Sequence, residues 1–310
     1  MEEYNSVENF DNKKGSVVTI GTFDGVHIGH RAILERLVES ANNRDQEAVL
    51  LTFFPHPRMV LQKDSGLKLL NTLQEKRRLL ESIGVDHMIV QPFTVEFSRL
   101  TAQDYVQDIL IDQLNAKKII IGYDHRFGRN RTANIEDLRE FGASLDFEVE
   151  EIDAQELNEV AVSSTKIRHA LEAGDVTTAN NYLGYRYMLN GKVVRGKGLG
   201  KTLDYPTANL QVGESYKLIP KKGVYITQAK IRDKSCYGLT SIGTNPTVGG
   251  TSETIETYFL DLQADLYDEA LTLEFITHIR DEEDFETVQE LKSAIRKDEA
   301  FARTFLAGYE

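Results

Sequence analysis

The chain has 310 residues, of which 41% are hydrophobic and 27% charged, with a formal net charge of −13 and one cysteine, Cys236. That length suits two domains, and the acidic balance excludes a general nucleic-acid surface or an anionic-membrane surface, both of which need a basic face. A single cysteine excludes an internal disulfide and a cysteine metal cluster. The polar start "MEEYNSVENFDNKKG" has no signal-peptide core and no apolar run is long enough to span a bilayer, so a cytoplasmic protein is expected.

The first part alternates. Apolar, β-branched runs at 16–21 (SVVTIG), 48–54 (AVLLTFF), 86–93 (DHMIVQPF), 116–122 (AKKIIIG) and 146–153 (DFEVEEID) predict strands. Segments 31–43, 73–84 and 101–114 carry helical spacing. Strand alternating with helix implies an α/β domain with a doubly wound parallel sheet. After STKIRHALEAGDVTTANNYLG, at 164–184, the rhythm changes. Short strands at 187–196, 223–231, 237–243, 255–262 and 271–279, separated by turns, predict a small antiparallel β-barrel. Residues 284–306 suit one terminal amphipathic helix. The expected domains are 1–184 and 185–310.

Four motifs of the first part carry chemistry. GTFDGVHIGH, at 21–30, leaves a buried strand and enters a helix, where open α/β sheets bind phosphorylated ligands. His27 and His30 could stabilise a phosphate gaining charge in a transition state, with Gly29 allowing close approach; an incidental pair or a metal pair is the other reading. SSTKIR, at 163–168, starts another helix, where Lys166 and Arg168 offer positive charge to a nucleotide unless they are solvated surface charges on a capped helix. FFPHP, at 53–57, puts His56 at a strand end, as a plain turn also would. GYDHRFGRNR, at 122–131, could grip a planar ring and a phosphate or be a solvated basic loop. His87, His169 and His278 have no companions in sequence and are expected to be structural.

In the second part, GKVVRGKGLGKTLDYPTANL at 191–210 joins a glycine-rich loop carrying Lys197 and Lys201 to Thr207 and Asn209. The loop could fold over phosphates, and the two oxygen side chains could bind Mg²⁺ together with ATP; an ordinary strand after a mobile turn fits the composition as well. Glu256, in an alternating strand, is a candidate general base or a surface strand residue.

In order and spacing these motifs resemble the bacterial bifunctional riboflavin kinase/FMN adenylyltransferases, or FAD synthetases, over nearly the whole chain. GTFDGVHIGH, FFPHP, GYDHRFG and VSSTKIR match the adenylyltransferase module; PTAN, GVY, SIGTNPT, IETYFLD, DLY and IRDEEDF match the kinase module. The resemblance implies that His27, His30 and Arg168 act on ATP phosphates, with Gly21, Phe23, Gly29, Ser164 and Thr165 in the nucleotide site and His56, Asp124 and Phe127 toward the flavin. In the second domain it implies Thr207 and Asn209 as Mg²⁺ ligands, Glu256 as base, Gly196, Lys201 and Tyr267 at the nucleotide, and Arg280, Glu283 and Phe285 over the flavin. Riboflavin, FMN and ATP would be substrates, with ADP, FAD and pyrophosphate as products. His125 stands where the family usually has phenylalanine, and Asp204 and Asp268 where it has glycine; Asp204 would bring a charge near the Mg·ATP site. A flavin-binding protein without activity is opposed by the intact His27, His30, Arg168, Thr207, Asn209 and Glu256; an adenylyltransferase for another small phosphate or a tRNA-charging enzyme is opposed by the motifs of the second domain, and the latter also by the acidic balance.

Overall fold

β2 (Ser16–Ile20) is buried at all five positions, which explains an apolar run without alternation: helices cover both faces of its sheet. In this computed structural model, residues outside 63–65, 124, 154–161, 197–202, 248–249, 263 and 310 are described, with side chains outside 245–252. They divide into two compact units, Met1–Ser163 and Ser164–Glu310.

The first unit holds a six-stranded parallel sheet. Besides β2 it contains β1 (Glu2–Tyr4), β3 (Glu47–Phe54), β4 (His87–Pro92), β5 (Ala116–Gly122) and β6 (Glu148–Ile152), in the order β1-β4-β3-β2-β5-β6. The helices are α1 (Ile28–Arg44), α2 (Pro57–Leu61), α3 (Leu73–Ile83), the short α4 (Ala102–Asp104) and α5 (Ile135–Leu145). α1 packs on β2, β3 and α3. Because strand side chains alternate, Val18 and Ile20 face a core with Val49, Leu51, Ile119 and Ile121, closed by Tyr105, Val106 and Leu110. Those last three belong to a π-helical stretch, Tyr105–Gln113, that continues α4; its Leu114 N–H reaches the Ile109 carbonyl at 3.0 Å. A plain α-helix was expected there. A wider turn of this kind is frequent beside functional sites.

The second unit is a closed antiparallel barrel, β10-β11-β8-β7-β12-β9, built from β7 (Met188–Val194), β8 (Ala208–Gln211), β9 (Gly223–Ile231), β10 (Lys234–Thr247), β11 (Gly250–Phe259) and β12 (Ala270–Asp281). Across its wall the fully buried hydroxyls of Thr227, Thr240 and Thr257 satisfy one another at 2.8 Å per link. The last helix, α8 (Val288–Ala307), lays Ala302, Phe305 and Leu306 on Ile226, Leu239, Leu260 and Ile276. α6 (Ser164–Ala173) and α7 (Val176–Leu183) also belong to this unit. The Asn180 amide donates to the Phe275 carbonyl at 2.8 Å, its carbonyl accepts the Tyr187 N–H at 2.7 Å, and Lys221 N–H donates to Leu171 at 2.9 Å. Packing therefore divides the chain ahead of α6, while the strand rhythm changes at β7.

Candidate functional site

In the first unit the chain winds from β2 outward through β3 to β4 on one side, and from β5 to β6 on the other. The crevice at the carboxyl ends of β2 and β5 is thus the switch point at which such sheets bind ligands. The Gly21–His27 loop leaves β2 there. Phe23 (φ 43°) and Val26 (φ 39°) hold left-handed backbone that side chains disfavour, and a Cβ at Gly21 would meet the Phe23 ring at 2.9 Å. Strain of this kind collects at functional sites.

His27 caps α1: its Nδ1 accepts the His30 N–H at 3.3 Å. The two imidazoles stack with centroids 3.6 Å apart, and Phe23 lies 4.8 Å from the His30 ring. Burial pulls His27 down to about 4 and, with the charges of His27 and Lys76, holds His30 well below the usual histidine range. Both rings are therefore neutral at pH 7 and act as hydrogen-bonding groups beside a helix amino terminus, whose dipole favours anions.

Behind the loop, the Asp24 carboxylate accepts Leu70 N–H at 2.9 Å, and the Lys76 ammonium donates to the Thr22 carbonyl at 2.6 Å. Asp24 lies inside the GTFDGVHIGH motif but took no role from it, and Lys76 lies outside every motif. Their partners are distant in sequence, and the one available signal was a lysine in the first turn of an amphipathic helix.

Other loops at this edge carry rings. His56 caps α2, its Nδ1 accepting Arg58 N–H at 3.1 Å. Phe53, Phe93 and Phe97 form a triangle of centroids 5.7 Å apart, continued through Tyr105 at 6.1 Å to Phe127 at 5.9 Å. Phe127 lies in the core rather than at the surface, so it backs the loop. His125 stacks on it at 6.1 Å and 24°, keeping a flat ring where phenylalanine was expected. Asp124 lies outside the described residues. Ser164, Thr165 and Arg168 open α6 in the second unit; Arg168 is buried, whereas Thr165 is exposed.

In the barrel, Asn209 and Glu256 are direct cross-strand partners on β8 and β11. Thr207, just before β8, donates its hydroxyl to the Glu256 carboxylate at 3.0 Å. A Cβ at Gly196 would lie 2.4 Å from the Asn209 carboxamide, so glycine lets the loop cross that side chain without displacing it. Beside it the Arg195 guanidinium lies 5.3 Å from the ring of Tyr267, which is exposed. Lys197 and Lys201 fall outside the described residues. Arg280, Glu283 and Phe285 come together: the guanidinium is 3.6 Å from Glu283 and 5.7 Å from the Phe285 ring. A buried carboxylate that sequence reasoning missed, Asp298 on α8, accepts from Arg280 Nε at 3.0 and 3.2 Å and from Nη2 at 2.9 Å.

Asp204 and Asp268 share φ +66°, a left-handed conformation that glycine favours and that Asp tolerates. Asp204 is not an unscreened charge: Lys292 of α8 pairs with it at 2.8 Å, as Lys192 does with Asp268 at 2.7 Å. His87 is not companionless either, lying 3.0 Å from Glu47 and 3.6 Å from Glu2; His278 lies 3.4 Å from Asp281.

Residues 9–166 match the family model for FAD synthetase, and residues 183–306 that for riboflavin kinase. Curated relatives include the bifunctional riboflavin kinase/FMN adenylyltransferases of Escherichia coli K12 (35% identical, covering 94% of this chain and 93% of that one) and Listeria monocytogenes (36%, 95% and 93%). The corresponding protein of Pseudomonas fluorescens is 36% identical over 95% of this chain and 94% of its own. Among solved structures, a macrolide-efflux protein from Streptococcus pneumoniae superposes with a TM-score of 0.88 at 30% identity, covering 97% of this chain and 98% of that one. Among the described residues of this chain, no helix is long and apolar enough to cross a membrane.

Proposed function

This chain belongs to the family of bifunctional riboflavin kinase/FMN adenylyltransferases, enzymes that phosphorylate riboflavin to FMN and adenylylate FMN to FAD with ATP, and we propose that the two residue sets described above divide those reactions between them. By motif, 1–184 carries adenylyl transfer and 185–310 the kinase, in the cytoplasm, where ATP and a lone reduced cysteine both belong.

The observation that carries the kinase assignment is the Thr207–Glu256 bond opposite Asn209. Glu256 takes the proton of the ribityl 5′-hydroxyl as its oxygen attacks the γ-phosphorus of ATP, and ADP leaves. The Thr207 hydroxyl fixes the carboxylate. Thr207 and Asn209 supply hard oxygen donors of the kind Mg²⁺ takes, and the space beside Asn209 that a Cβ at Gly196 would fill is kept open, so these residues fit the ion. Bound there, Mg²⁺ would offset charge on the ATP phosphates. Gly196, Lys201 and Tyr267 hold the nucleotide; Arg280, Glu283 and Phe285 cover the flavin.

In adenylyl transfer the FMN phosphate, already ionised, attacks the α-phosphorus of ATP and pyrophosphate leaves. The neutral imidazoles of His27 and His30 donate hydrogen bonds to phosphate oxygens as charge builds, and Arg168 supplies a cation. Gly21, Phe23, Ser164 and Thr165 complete the nucleotide contacts, with His56 and Asp124 toward the flavin; Phe127, implied there by the resemblance, is buried and supports the loop from behind. Gly29, the second residue of α1, fits this reading: a Cβ there would touch His27 at an ordinary 3.5 Å, so internal packing does not require glycine, and the missing side chain leaves the helix amino terminus open to a phosphate.

Product chromatography tests the division. With riboflavin, ATP and Mg²⁺, His30→Ala is expected to accumulate FMN without FAD. Loss of both products in a folded variant, or undiminished FAD, would contradict it.

A further inference from the structure

Lys76 occupies a costly place. It lies in the first turn of α3, where the helix dipole disfavours a cation, and it is 5% exposed. Its ammonium donates to the Thr22 carbonyl at 2.6 Å and approaches Thr52 Oγ1 at 3.4 Å, and the Thr52 hydroxyl itself donates to the Thr22 carbonyl at 3.3 Å. Two donors thus converge on the peptide that precedes the strained Phe23, whose ring lies against His30.

The start of α3 is fixed independently of this contact. Thr72 and Glu75 form a reciprocal capping box, with bonds of 3.1 and 2.9 Å, and Asp24 holds the Leu70 amide just before it. A rigid helix start therefore presents the ammonium to the underside of the loop.

We propose that Lys76 is a positioning residue for adenylyl transfer: as an ammonium it holds the Thr22 carbonyl, and through Phe23 it sets the His30 ring where ATP phosphate is received. The proposal rests on assigning the Gly21–His30 loop to that reaction. The groups that face Lys76 are Asp24 from the loop, which favours its charge, His30 from α1, and the Thr52 hydroxyl from β3; Glu75, on its own helix, is engaged with Thr72. Burial brings the ammonium down to about 8, so it begins to lose its proton just above neutral pH. A neutral amine keeps a weaker hold on the carbonyl, and a displacement of about 1 Å at a reacting group can cost roughly 10²-fold in rate.

The experiment follows FAD formation from FMN and ATP between pH 6.5 and 9.5 in the wild-type protein and in Lys76→Arg, Lys76→Met and His30→Ala. The wild type is expected to lose activity on the alkaline side with a midpoint near 8. Lys76→Arg, charged throughout, moves that limb up by a unit or more, and Lys76→Met lowers the rate at pH 7 roughly 10²-fold. A flat wild-type profile, an unmoved limb in Lys76→Arg, or a Lys76→Met rate within twofold of wild type each overturns the role of Lys76. Intact FAD formation in His30→Ala would instead overturn the assignment of the loop.

Discussion

Thr207 donates a hydrogen bond from its hydroxyl to the Glu256 carboxylate at 3.0 Å, which ties the segment entering β8 to the middle of β11. The bond leaves the Glu256 carboxylate oriented by a neutral donor, as a general base needs. Glu256→Gln keeps an acceptor for Thr207 but cannot take up the ribityl proton, so FMN formation should fall about 10²–10⁴-fold. FAD made from supplied FMN should continue near the normal rate. Wild-type riboflavin phosphorylation in this variant would remove Glu256 from the chemistry.

Gly196→Ala tests the crowding over Asn209. A methyl 2.4 Å from the carboxamide must displace either the loop or the amide. Kinase activity should drop and its Mg²⁺ requirement should rise, with conversion of FMN to FAD spared. An unchanged magnesium titration would show that this approach does not serve the metal.

Asp204→Gly should do little. Its carboxylate is exposed and paired with Lys292, and an exposed pair of this kind is a weak, screened interaction. Glycine adopts the same left-handed backbone without strain. The kinase magnesium titration is expected to stay within about twofold of wild type, because an exposed, screened charge exerts little field at a distance. A clear fall in the Mg²⁺ requirement would mean that the Asp204 charge reaches the site despite its lysine.

Acid should loosen the first unit through His27. Its folded value, about 4, lies below the ordinary 6.5, so unfolding takes up a proton between those limits. The stabilisation is fully present above pH 6.5 and is lost as pH falls toward 4, with about 2 kcal/mol gone by pH 5. Protonation at Nδ1 would also end the bond that caps α1. His27→Asn, a good cap that does not titrate, should show a flatter loss of stability between pH 7 and 5 in denaturant melts. Parallel losses in the two proteins would rule this out.

Much of both sites was legible because the chemistry is local. His27 caps α1 and His30 lies three residues further on, so local cap geometry brings the two rings together. Thr207 and Asn209 fall on one side of an extended segment by strand period. The parallel sheet and the barrel followed from hydrophobic rhythm. β1, three exposed or half-exposed residues at an edge, has too little pattern to announce a strand, and β8 is four residues long and follows a run of glycine and proline.

By itself, then, the sequence determined the two folds, the loops that leave their strands, and the side chains set by helical or strand period, since each depends on residues a few positions apart. Tertiary structure alone decided which groups support them: Lys76 beneath Thr22, Asp298 against Arg280, Lys292 beside Asp204, and α6 with the barrel rather than the parallel sheet. Those pairings depend on burial and on strand and helix packing, which bring together residues separated by tens of positions and leave no periodic trace along the chain.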